Sequence, residues 1–230
     1  VVDGELNLVP QVDAISPYPT STLGSLVTLT GARFGVHGVV YMGNTRESAV
    51  ACAEAANPQA EAACAKLDVL TLPDACGNTW GENQIIGKIP QDIALGQYFF
   101  VVKNDAGLHS DGVREITLVA GAPLPGLCRL EPNRGVAPLA ENAIPLSLTG
   151  INLNPNPELY FWSVGSTWLI SSRDRAPGAQ NVIRSVSPDG TTIKTLLPVG
   201  NNGVSMVTGP ILARVAGNFS NSVQYTVNDC

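Results

Sequence analysis

The sequence predicts an all-β protein built as two β-sandwiches in tandem, and three observations carry that prediction. A strand-and-turn phrase, Leu26-Val27-Thr28-Leu29-Thr30-Gly31, returns as Leu146-Ser147-Leu148-Thr149-Gly150, and two copies of one signature imply two copies of one domain. Charged residues are only 14% of the 230, beside 23 Gly and 17 Pro, which suits short strands in tight loops rather than helices with charged wet faces. Strand endings also recur, Ile89-Pro90 in the first half and Leu197-Pro198 in the second.

Taken in order, residues 1–9 alternate weakly and read as an N-terminal extension or a pairing strand. The first sandwich spans 10–120. Its strands are Gln11 to Pro17, Leu26 to Thr30, Val39 to Gly43, Asp68 to Leu72, Gln84 to Ile89, Gly96 to Lys103 and Ile116 to Val119. Glycines 24, 31 and 35 bracket the second of these, where a chain leaving a strand needs unusual φ. In Gly96 to Lys103 both faces are apolar, the mark of a central strand. An insertion at 46–66 departs from this pattern. It is Ala-rich, and alanine is the best helix former, so it reads as helix broken at Asn57-Pro58. Residues 121–126, with Pro123 and Pro125, form a stiff linker. The second sandwich, 127–230, repeats the order through Cys128 to Pro132, Glu158 to Trp162, Trp168 to Ile170, Thr191 to Leu197, Pro210 to Val215 and Val223 to Val227.

The net charge of −6 divides into −7 for residues 1–120 and +1 for 121–230. Such a chain is a poor partner for nucleic acid, which binds through clustered Lys and Arg. No apolar run approaches the roughly 18 residues that span a bilayer, so no membrane insertion is expected. Val1-Val2-Asp3-Gly4 has neither a basic region nor an apolar core, so no signal peptide is read, though a mature secreted chain would have lost its leader. Cysteines at 52, 64, 76, 128 and 230 lack the close pairs a metal site needs. No metal and no cofactor is expected. Disulfides of an oxidising compartment account for them better, with buried thiols as the alternative. Cys128 opens the second sandwich and Cys230 ends it, so a bridge between them would close a loop of about 100 residues, contributing on the order of 4 to 5 kcal/mol. Pro58 lies midway between Cys52 and Cys64, so a helical hairpin would join that pair. Cys76 is left over, free or available for an intermolecular bond.

Further residues point to a family. Ile15-Ser16-Pro17, Gly24-x-x-Val27-Thr28-Leu29-Thr30-Gly31-x-x-Phe34-Gly35, Ile89-Pro90, Gly96-x-Tyr98-x-x-Val101 and Ser110 resemble an IPT/TIG domain. Leu130-Glu131-Pro132, Leu146-Ser147-Leu148-Thr149-Gly150-x-Asn152-Leu153, Leu197-Pro198 and Ser220-Asn221 give the weaker second copy, where Leu153-Asn154 replaces the aromatic-Gly step. The resemblance covers about residues 10–120 and 126–228 and implies two immunoglobulin-like sandwiches. It brings no shared catalytic residues, and a fold alone licenses no activity.

The residues themselves offer no catalytic centre. There is no G-x-S-x-G, and His37 and His109 lie in expected loops. Gly81 to Lys88 imitates a phosphate-binding loop with the wrong spacing and reads as a strand. Asp105 and Asp111 are an acidic pair without the oxygen-rich loop of a calcium site. Asn218-Phe219-Ser220 is an N-glycosylation sequon, meaningful only where the source glycosylates. Trp80 sits in a loop, and Trp162 and Trp168 flank a turn. Exposed rings at 80 and 168 would stack on sugar faces, whereas in sandwiches such rings also fill the core. The expected role is a non-enzymatic, extracellular or cell-surface structural or adhesive protein. Its partners would be proteins, including copies of itself through Val1–Val9 or open sheet edges. The alternative is a carbohydrate-binding or spacer module of a secreted enzyme, contacting cell-surface glycan.

Overall fold

A computed structural model describes residues 9–55, 64–110, 114–136, 144–172, 183–198 and 206–228. It is mostly β with several sheets, consistent with an all-β sandwich. Contacts gather the chain into two compact units. One is Val1–Gly24, Thr28–Thr71 and Asn78–Ala122; the other is Ser25–Val27, Leu72–Gly77 and Pro123–Cys230. The proposed pairing segment Val1–Val9 lies outside the described residues except for Val9, whose carbonyl accepts a hydrogen bond from Arg33 Nε at 2.7 Å.

The first unit runs β1 (Gln11–Ser16), β2 (Thr20–Thr22), β3 (Leu26–Ala32), β4 (Gly38–Gly43), α1 (Arg46–Ala53), β5 (Ala65–Lys66), β6 (Gln84–Lys88), β7 (Gly96–Asn104) and β8 (Arg114–Val119). Its two sheets have the orders β1-β3-β6 and β2-β8-β7-β4-β5. Strand β7, apolar on both faces, lies between β8 and β4, and its Phe100, Val101 and Val102 have no exposed surface. Helix α1 starts where Thr45 caps it: the Thr45 hydroxyl accepts from Ser48 N, and the Ser48 hydroxyl accepts from Thr45 N, both at 3.1 Å. Ala49 and Ala53 are small enough to lie directly on Tyr41 and Val101. Cys52 and Cys64 are disulfide-bonded with a Cα–Cα distance of 5.8 Å; the expected break at Asn57-Pro58 falls outside the described residues.

The expected strand Asp68 to Leu72 is instead a turn with a single bridge from Asp68 to Lys88. The Asp68 carboxylate accepts from Leu70 N at 3.0 Å, Thr71 N at 2.9 Å and the Thr71 hydroxyl, so it replaces strand partners with local ones. Partial burial pushes this carboxyl up, but the Thr71 hydroxyl, the two amides and Lys88 at 3.7 Å outweigh it and hold the carboxyl below its ordinary 3.8.

The second unit runs β9 (Gly126–Glu131), β10 (Arg134–Gly135), β11 (Pro145–Ile151), β12 (Glu158–Ser163), β13 (Thr167–Ser172), β14 (Ile183–Val186), β15 (Thr192–Leu196), β16 (Met206–Val215), β17 (Asn218–Phe219) and β18 (Val223–Val227). Its sheets are β14-β15-β11-β9 and β10-β18-β16-β12-β13, with β17 paired to β16.

The two units share one strand plan. In each, the first strand ends at a proline, Pro17 or Pro132, and the following short strand joins the other sheet. There it runs parallel to the last strand, β2 with β8 and β10 with β18. Each also uses a buried serine ahead of its last strand. Ser110 Oγ accepts from Val102 N at 3.1 Å and Ser220 Oγ from Ala213 N at 2.9 Å. Beside Ser220, the buried Asn221 side chain accepts from Leu127 N and donates to Leu127 O, both at 2.7 Å, tying the unit's first strand to its last turn.

The expected Cys128–Cys230 bridge is corrected. Cys128 bonds Cys76, with Cα atoms 5.3 Å apart, so Cys76 is no leftover thiol for an intermolecular bond; Cys230 lies outside the described residues. The reason is that the turn Asp74–Cys76 packs against β9 and β11 within the second unit, although it precedes that unit in sequence.

Two measurements follow. Closing a loop of 52 residues contributes about 4 kcal/mol in the chain-entropy model, so Cys76→Ser should lower the second unit's unfolding free energy by about 2–4 kcal/mol, read as a lower urea midpoint. Asp68 has its folded-state pKa below the unfolded value, so its contribution is complete above 3.8 and is lost as pH falls through the folded value. The stability gap between wild type and Asp68→Asn should therefore shrink as the pH is taken below that range.

Candidate functional site

The sequence offers two rings for stacking, Trp80 and Trp168, and the structure separates them. Trp80 is a core residue, 7% exposed. Its indole Nε1 donates to Phe34 O at 3.1 Å, and its ring lies against Gly38, where an added Cβ would come within 2.8 Å of it. The glycine makes room for the ring and the carbonyl satisfies its only polar atom, so Trp80 is no sugar platform.

Trp168 is 37% exposed and belongs to a continuous aromatic face. On β12, Leu159, Phe161 and Ser163 are buried while Glu158, Tyr160 and Trp162 are partly exposed, as period-two alternation dictates. The register sets Trp162 opposite Trp168, Tyr160 opposite Ile170 and Glu158 opposite Ser172 on β13. On β16 it sets Tyr160 opposite Leu212 and Glu158 opposite Arg214, and Arg214 in turn faces Phe219 of β17. Four rings thus meet edge to face. Centroids are 4.8 Å apart for Trp162 and Trp168, 6.3 Å for Trp168 and Tyr160, and 5.1 Å for Tyr160 and Phe219. Such contacts fix ring orientation. Gly209 gives Trp162 its seat, because a Cβ there would stand 2.6 Å from the ring. Phe219 is 44% exposed.

A polar groove of about 320 Å³ closes one end of the face, lined by Asn156, Pro157, Glu158, Ser172, Arg214, Ala216 and Gly217. Arg214 Nη1 lies 3.4 Å from Glu158 Oε2, which also accepts from the Tyr160 hydroxyl at 3.1 Å. Tyr160, and after it Glu158, hold the Arg214 pKa above its ordinary value. The pair is about two-fifths exposed on each side, where an ion pair contributes little, and both groups keep spare hydrogen-bonding capacity toward a ligand. The arrangement offers an apolar surface for stacking with a donor and an acceptor at its end.

Tyr160, Phe219, Glu158 and Arg214 were not singled out by sequence reasoning. The available signal was Glu158 to Ser163, where Tyr160, Phe161 and Trp162 follow one another, so rings fall on both faces of the strand instead of polar and apolar residues alternating. Other expected features stay apart. His37 faces Asp105 at 3.8 Å and His109 faces Glu54 at 3.3 Å, while Asp111 lies outside the described residues. Among the described residues no group of three or more His, Cys, Asp and Glu is placed to hold a metal ion, and no helix is long and apolar enough to cross a membrane. In the sequon, Asn218 is exposed and Ser220 buried.

No protein-family model matches the chain, and no curated protein matches it. Solved structures that resemble it are immunoglobulin-like or other β-sandwich proteins. One is SGBP-B from a complex xyloglucan utilization locus of Bacteroides uniformis, at 11% identity and a TM-score of 0.30, covering 95% of this chain and 49% of that one. Another is the Bacteroides ovatus SGBP-B of a mixed-linkage glucan utilization locus, in complex with a mixed-linkage heptasaccharide, at 15% identity and a TM-score of 0.32, covering 97% and 44%. A third is Dpr2 Ig1-Ig2 in complex with DIP-Theta Ig1-Ig3, at 12% identity and a TM-score of 0.29, covering 91% and 92%. The chain spans less than half the length of the two Bacteroides proteins, and likeness at this level assigns it no ligand.

Proposed function

We propose that the chain is a non-enzymatic, secreted or cell-surface module of two immunoglobulin-like sandwiches of IPT/TIG type, whose second unit binds carbohydrate on the outer face formed by β12, β13 and β16. One observation carries the reading: Trp162, Trp168, Tyr160 and Phe219 form an exposed, pre-packed aromatic row that ends at the Glu158–Arg214 groove. Sugars present an apolar C–H face and a rim of hydroxyls, so a ring row with a donor and an acceptor beside it is chemically matched to them. Aromatic groups grouped on a monomer's surface mark binding sites rather than packing leftovers. The shared strand plan and the paired serines Ser110 and Ser220 support the tandem-domain part. Two internal disulfides support an oxidising location. We rank carbohydrate binding ahead of a structural or adhesive role because the aromatic row and its groove form a ligand surface among the described residues.

The test is calorimetric titration with soluble oligosaccharides of neutral hexoses. Trp168→Ala should weaken binding about tenfold or more with only a modest fall in thermal midpoint, because the ring is more than one-third exposed. Trp80→Phe, a core change, should lower the midpoint and leave affinity alone. Unchanged affinity in Trp168→Ala together with loss in Trp80→Phe would reject the assignment.

A further inference from the structure

The first unit carries a second, separate set of groups suited to a sugar. It lies where β1 gives way to β2. Tyr18 sits between Pro17 and Pro19 and is 69% exposed. A proline on each side restricts the backbone at and before it, so a stiff segment presents the ring to solvent. Beside it lies a groove of about 520 Å³ lined by Asp13, Ala14, Ile15, Tyr18, Arg114 and Glu115. The register of β1 against β3 slips between Val12 and Ala14, leaving Asp13 outside the ladder, as at a bulge that re-aims a side chain. The Asp13 carboxylate accepts from the neutral Gln11 amide at 2.6 Å.

Charge selects the ligand. Asp13 and Glu115 disfavour an anion, in a unit whose sequence is already strongly acidic. Arg114 in the same groove offsets one of those two carboxylates. A neutral molecule that offers both donors and acceptors and one apolar face satisfies all four groups, and a hydroxyl-rich sugar is that molecule. We propose that the Tyr18 groove is a second carbohydrate site, taking neutral hexose oligosaccharides independently of the aromatic face of the second unit. It shares with the proposed function the ligand class and nothing else.

Calorimetry on the full chain with cellohexaose, laminarihexaose and mannohexaose separates the two sites. Trp168→Ala should retain a binding component, and adding Tyr18→Ala should weaken that component about tenfold. Arg114→Gln in the Trp168→Ala background should weaken it in the same direction, with circular dichroism and thermal midpoint unchanged. A residual component indifferent to Tyr18→Ala, or no residual component in Trp168→Ala, overturns the Tyr18 site and leaves the other intact. Loss on Tyr18→Ala alone, with Trp168→Ala silent, does the reverse. Binding of a lysine-rich peptide that Tyr18→Ala abolishes, in place of any of the three sugars, also overturns it, as does silence of all three sugars.

Discussion

The pairing register of β12 is the constraint on which the second unit's chemistry depends. Side chains on a strand alternate, and a slip of one residue would exchange the faces. As paired, Leu159 and Phe161 are fully buried, and burying each such side chain stabilises by roughly 1.5–3 kcal/mol. The slipped register would place Tyr160, Trp162 and the charged Glu158 inside instead. The inward residues therefore hold the outward ones in place, so the well-filled core fixes which way the aromatic face points. Gly209 adds the one local concession, a missing side chain beneath Trp162.

Much of the fold was legible because local rules and global packing agree. The repeated phrase at Leu26 and Leu146 became β3 and β11, each in the middle or interior of its sheet, and the two-faced apolar run at Gly96 became a central strand. The failures have physical reasons. Asp68 to Leu72 has strand-like residues, but a carboxylate able to satisfy two amides and a hydroxyl competes with ladder pairing and wins. Cysteine pairing depends on which segments meet in space; the spacing that suggested Cys128 with Cys230 says nothing of a turn before the second unit that packs against β9.

The site was less legible for a related reason. A tryptophan in a loop and a tryptophan on a strand look alike in sequence. What separates Trp80 from Trp168 is a glycine, Gly38, and a carbonyl, Phe34 O, both distant in the chain and both adjacent in space. Tyr160 and Phe219 gain meaning only through cross-strand pairing, which brings residues 59 apart in number into ring contact at 5.1 Å. Charge composition narrowed the partners, but the selection made by Glu158 beside Arg214 needs the register of β12 against β16.

Tryptophan fluorescence on the intact chain tests this arrangement most directly. With Trp80 sealed and Trp162 and Trp168 on the outer face, acrylamide should quench two of the three indoles, and a bound oligosaccharide should shield those two and shift the emission to the blue. Emission that is uniformly resistant to quenching, or that fails to respond to every neutral oligosaccharide at saturating concentration, would contradict an outward aromatic face that stacks on sugars.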